Sequence, residues 1–170
     1  MKRFLFLLLT VITLSASAQT EAPVLKFGFL SYDAVLQSMA DYAAVETSMA
    51  QLQEQYAAEQ KRVEDEFNKK YEEFLDGQRD FPQTILQKRQ SELQELLDKN
   101  IAFKKEGQRL LAEAREKAMQ PLKARLADAL ASVGSSRGLA FIVNTDQNAL
   151  PWMNINMGED VTEAVQEALK

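Results

Sequence analysis

Cysteine and histidine are both missing from the 170 residues of this chain. Without thiols there is no disulfide to brace a fold, no thiolate nucleophile and no cysteine to carry a lipid. Without imidazole the commonest general base and metal ligand is gone as well. Glycine is scarce, at six residues, and none of them form a phosphate-cradling loop or a Gly-x-Ser-x-Gly elbow. Carboxylate pairs could still do acid–base work, but the acids are strung along charged, helix-like stretches with nothing to desolvate them. These absences point away from an enzyme. No catalytic, cofactor-binding or metal-ligating residue is assigned, and no cofactor is expected. A net charge of −5 also argues against general affinity for nucleic acid, which rewards a dense basic face.

What is present begins with a leader. Lys2 and Arg3 precede an apolar run, Phe4 to Leu14, and Ala16-Ser17-Ala18 supplies the small residues of a cleavage site. The run is shorter than the roughly 20 apolar residues a membrane helix needs. The pattern predicts a cleavable signal peptide over residues 1–18, cut after Ala18, with export and no stable membrane insertion afterwards. Cleavage would move the charge from −5 to about −7 by removing Lys2 and Arg3.

Lys26 to Leu30 reads as a strand with Phe27 and Phe29 on one face, and Ser31 or Asp33 can cap a short helix over 34–39. From Asp41, Val45, Met49, Leu52, Tyr56, Val63, Phe67, Tyr71 and Phe74 recur at steps of three and four among Glu, Gln, Lys and Ala. That narrow stripe is the mark of a coiled-coil helix. Gly77 to Pro82 interrupts it. A second helix then carries Leu86, Leu93, Leu96, Phe103, Leu110, Ala114 and Ala118 on one side. Folding back around Arg79 would set Phe74 near Ile85, Phe67 near Leu93, Tyr56 near Phe103 and Met49 near Leu110. Apolar meets apolar throughout, so an antiparallel hairpin arm is expected over 41–120, its tip near 77–82. Pro121 predicts a kink in the returning helix, level with the break at Met39-Ala40-Asp41.

The helix should continue through Leu122, Leu126 and Leu130 to Gly134. Leu139 to Val143 reads as a strong strand with Leu139, Phe141 and Val143 on one face, Ala149 to Met153 as an edge strand, and Asp160 or Thr162 as the cap of a closing helix bearing Val165 and Leu169. The expected fold is mainly α with a small β body: a long antiparallel coiled-coil hairpin inserted between the strands of a β-rich oligomerisation body made of residues 24–40 and 121–170. Such a body, about 65 residues without disulfide or metal, is marginal alone. Association is therefore expected, with Phe27, Phe29, Leu139, Phe141 and Val143 forming the body core and subunit contacts.

Several segments resemble the Skp/OmpH family of periplasmic chaperones. Lys26 to Leu30, followed by Ser31-Tyr32-Asp33-Ala34-Val35-Leu36 and Asp41-Tyr42, is similar to the family's opening strand, short helix and arm. Met119-Gln120-Pro121-Leu122 resembles its Gln-Pro step, Gly138 to Val143 its glycine-led strand, and Asp160-Val161-Thr162 its closing helix. The resemblance runs in order from about Lys26 onward. It implies a homotrimer whose arms enclose a cavity in which unfolded outer-membrane β-barrel proteins are held in the periplasm without ATP. Family members with basic arms attract acidic partners or lipopolysaccharide. This chain is acidic, so no lipopolysaccharide site is carried over.

The arm lysines and arginines, among them Lys61, Arg62, Lys69, Lys70, Lys88 and Lys99, read better as a solvated helix face. Val45, Met49, Leu52, Tyr56, Val63, Phe67, Phe74, Leu86, Leu93, Phe103 and Leu110 are assigned to the arm seam. Tyr71 goes with them on its spacing. Phe81, beside Pro82 in the turn, is the candidate contact for an unfolded client at the tip. The rival reading is a structural coiled coil that docks one fixed envelope partner.

Overall fold

The computed structural model describes residues 25–148 and 150–170; the expected leader and its cleavage point after Ala18 lie outside the described residues. Strand β1 (Phe27–Leu30) leads into helix α1 (Tyr32–Ser38), which Ser31 caps by accepting the Ala34 N–H on its hydroxyl at 3.1 Å. At Met39 the backbone turns extended, with φ −68° and ψ 135°, and the long helix α2 (Ala40–Gly77) begins. Its 38 residues make a rod about 57 Å long. After the turn at 78–82, helix α3 (Gln83–Arg137) returns as one 55-residue rod and runs through Pro121 without interruption. Strand β2 (Phe141–Asn144), strand β3 (Gly158–Asp160) and helix α4 (Thr162–Ala168) complete the body.

Glycine ends α3, but at Gly138 rather than Gly134. Gly138 sits at φ 62° and ψ 35°, the left-handed cap conformation, and its N–H reaches back to the carbonyls of Gly134 and Ser135. Leu139 N–H closes the same turn on Gly134 O at 2.9 Å. That reversal uses Leu139 and Ala140, so the strand starts two residues later than its composition suggested.

The three strands form a parallel sheet in the order β2-β1-β3, with Phe27 opposite Phe141 and Gly158, and Phe29 opposite Val143 and Asp160. The third strand is a correction: residues 150–153 lie outside any strand, and Gly158-Glu159-Asp160 takes the edge position instead. Those are weak β-formers. Pairing is held from outside the strand, by the Phe27 ring lying over Gly158, by Arg137 pairing with Glu159, and by Val161 N–H donating to Phe29 O at 3.1 Å. Asp160 serves the closing helix by accepting the Thr162 N–H at 2.9 Å, which leaves Thr162 as its first residue.

The body is less β-rich than expected. Its core consists of Leu30, Val35, Leu36, Met39, Met119, Leu122, Leu126, Ala129, Val133, Val161 and Val165, most of them helical, and Leu126, Val35, Val161 and Val165 are fully buried. The sheet contributes its inner face. Gly28 and Leu30 are buried there, and a Cβ on Gly28 would strike Leu139, Val161 and Ile142. Leu139 therefore points inward with Ile142, not outward with Phe141 and Val143; the two residues spent on the Gly138 reversal break the expected alternation.

Candidate functional site

The arm is a seam of two helices. Every residue assigned to that seam from its spacing, Tyr71 apart, is buried or half-buried, Met49 most deeply. Tyr71 is the exception to the periodic stripe: it stacks on Phe67 with centroids 6.0 Å apart and is otherwise exposed. Tyr56 lies beside Phe103 as expected, at 6.2 Å, yet its ring seats over Gly107, where a Cβ would come within 3.1 Å. Asn100 crosses the seam and donates from Nδ2 to Val63 O at 3.1 Å. Phe67 shares a groove with Leu97 and Ile101.

Toward the tip the seam opens. Phe67, Leu97, Ile101 and Asn100 line a groove of about 360 Å³ whose rim carries Glu64 and Lys104. Ile101 is 59% exposed, and Tyr71, Leu75, Ile85 and Leu97 are exposed as well. The half of the arm nearer the body exposes no large apolar side chain among the described residues. At the turn Phe81 is half-buried, its ring lying over Gly77.

Charge stays on the surface. Lys61 pairs with Asp65 at 2.9 Å, Arg62 with Glu59 at 2.8 Å, and Arg109 with Glu106 at 2.7 Å, each three or four places along one helix. The Arg62 guanidinium holds Glu59 below the usual carboxylate range by hydrogen bonding, and Arg109 does the same to Glu106. Asp146 is lowered by a different cause, the hydroxyl of Ser31 at 2.6 Å and the backbone N–H of Asp33 at 2.8 Å. Among the described residues no cluster of acids could hold a metal ion, and no helix is long and apolar enough to cross a membrane.

At the root, two ion pairs tie the helices together. Arg115 pairs with Glu46 at 2.6 Å, and Arg125 with Asp41 at 2.6 Å while also donating to Leu169 O at 3.2 Å. Beyond them, the outer face of the sheet is only partly covered among the described residues. Phe27 stacks on Phe141 at 5.7 Å, and Phe29 and Val143 form the next row. Phe141 is 49% exposed, and the segment that follows adds Trp152 at 80%, Ile155, and Met157 at 70%. Of the five residues assigned to the body core, only Leu139 packs against the chain's own core. Composition gave no sign of the 152–157 surface, because isolated apolar residues in a loop have no period to read.

Two open apolar surfaces, one toward the tip of a helical arm and one at its base, with every ion pair outside, mark an arm-bearing scaffold. Residues 26–169 match the family model of OmpH-like outer membrane proteins, and the chain belongs to that family. The crystal structure of an OmpH-like protein from Caulobacter crescentus CB15, described as an outer membrane chaperone, superposes with a TM-score of 0.62 at 17% identity, covering 87% of this chain and 84% of that one. At that identity the likeness concerns the fold. No curated protein matches the chain.

Proposed function

We propose that this protein is an ATP-independent holding chaperone of the periplasm, reached through a cleaved signal peptide, that shields unfolded outer-membrane β-barrel proteins between helical arms. The observation that carries this reading is the confinement of the arm's exposed apolar side chains to its distal part, around the groove of Phe67, Leu97 and Ile101. An extended apolar chain gains by covering such surface, at roughly 25 cal/mol per Å², while a shallow groove imposes no single conformation on it. Phe81 extends the contact to the tip. The second open surface supports self-association, with another copy covering Phe27, Phe29, Phe141 and Val143 and the family resemblance suggesting three copies. No catalytic step is assigned.

The test is light scattering after unrelated unfolded outer-membrane β-barrels are diluted from denaturant. Suppressed turbidity without nucleotide is expected, weakened several-fold in the Leu97→Ser, Ile101→Ser variant, since each side chain loses most of its apolar contact. Unchanged turbidity at molar excess of the protein would overturn the reading. Tight binding to one folded envelope protein alone would favour the fixed-partner alternative.

A further inference from the structure

The arm leaves the body at a level where both of its helices are weakened. Between α1 and α2 the chain is extended at Met39, and in α3 Pro121 has no N–H to give the Lys117 carbonyl. Open grooves lie on both sides of this level. Leu36, Gln37, Tyr42 and Met119 help to line one of about 400 Å³, and Ser38, Met39, Arg125 and Leu169 help to line another of about 550 Å³. The two helices therefore have a place to bend and room in which to tilt.

Two ion pairs cross that level. On α3, Lys123 reaches back past Pro121 to Glu116 at 2.9 Å, seven positions or about two turns away, where the arm's other same-helix pairs span three or four. Between helices, Arg125 meets Asp41 at 2.6 Å while donating to Leu169 O at 3.2 Å. In both pairs the acid stands on the arm and the base in the body. Arg115 and Glu46, also 2.6 Å apart, lie wholly within the arm.

We propose that Met39 and Pro121 form a hinge at the root of the arm, braced by the pairs Glu116–Lys123 and Asp41–Arg125, which set how freely the arm tilts on the body. Pro121 has already removed one backbone bond that bending would stretch. Exposed pairs of this kind each shift an equilibrium by about two- to fivefold, so they bias the hinge rather than lock it. Salt screens that bias.

Because the chain has no cysteine, a two-armed lanthanide tag can be fixed to α2 through Glu54→Cys and Ala58→Cys, exposed positions one turn apart. The tag aligns the arm in a magnetic field, and amide residual dipolar couplings in the body shrink as the body moves against the arm. In otherwise unchanged protein at low salt, the body couplings should fit the arm's own alignment. With Lys123→Gln and Arg125→Gln added they should shrink by about a third or more. Raising salt to about 0.5 M should bring the unchanged protein toward that variant.

Glu46→Gln removes a pair of the same chemistry inside the arm and should leave the couplings as they were. Exchanging charges, Glu116→Lys with Lys123→Glu, should restore the couplings that Lys123→Glu alone reduces, which a general loss of helix stability would not do. Equal couplings in the unchanged protein and the Lys123→Gln, Arg125→Gln variant would overturn the proposal. So would an equal loss from Glu46→Gln.

Discussion

At the scale of single residues, the body is held by a few side chains that touch everything around them. Leu126 is fully buried where α3 meets α1 and α4, among Val35, Val161 and Val165. Leu126→Ala should cost about 2–5 kcal/mol by lost transfer energy and a residual cavity, read as a lowered denaturant midpoint. A change under about 0.5 kcal/mol, the range of ordinary surface substitutions, would mean that this core is not the one that folds the chain. Leu126 was legible as one of a helical series. Gly107 and Asn100 were not, because their seam partners, Tyr56 and Val63, lie 51 and 37 positions away on the other helix, and a one-dimensional period carries no such pairing.

At the scale of elements, α2 and α3 were legible nearly to their ends, since a stripe with a three-four rhythm over so many residues suits no other structure. The short strands were harder. Leu139 to Val143 has strong β-formers yet yields its first two residues to the Gly138 cap, and Gly158 to Asp160 has none yet pairs with β1. In both places a tertiary neighbour overrode local preference.

On the proposed function, the arm holds clients and the base joins subunits. Shortening both arm helices by equal whole turns beyond Gln60 should leave self-association intact and reduce client holding. Conversely, Phe141→Glu with Met157→Glu should weaken association by placing charge on the open sheet face. Sedimentation of the two proteins distinguishes these outcomes. Loss of association on shortening the arm would place the subunit contacts in the helices instead.

For the molecule as a whole, the missing histidine sets the response to acid. No side chain with an ordinary pKa near neutrality is present, so stability should be flat from about pH 5 to 8. Asp146 and Asp160 are both held below their usual range, the first by the Ser31 hydroxyl and Asp33 N–H, the second by Thr162. A depressed folded pKa means that the carboxylate contributes stability above its unfolded value, and that this is lost as pH falls below about 4 through the folded value. Melting curves at stepped pH should show that drop, and Asp146→Asn should make it shallower. A marked fall in melting temperature between pH 8 and 6 would contradict this account. Fold class, arm and base could be read from the chain itself, because they follow from charge, periodicity and punctuation. Which surfaces stay open could not, since exposure is a property of the packed assembly of elements.

The two rods of the arm enter the base differently. One is broken at Met39, with only an extended residue between it and α1, while the other passes Pro121 unbroken and ends against the sheet at Gly138. A load on the tip is therefore carried by one continuous strut and one jointed one. Sideways displacement of the far end should pivot at the joint and reach the sheet through the strut, so a cargo's bulk would be felt some tens of ångströms away at the base.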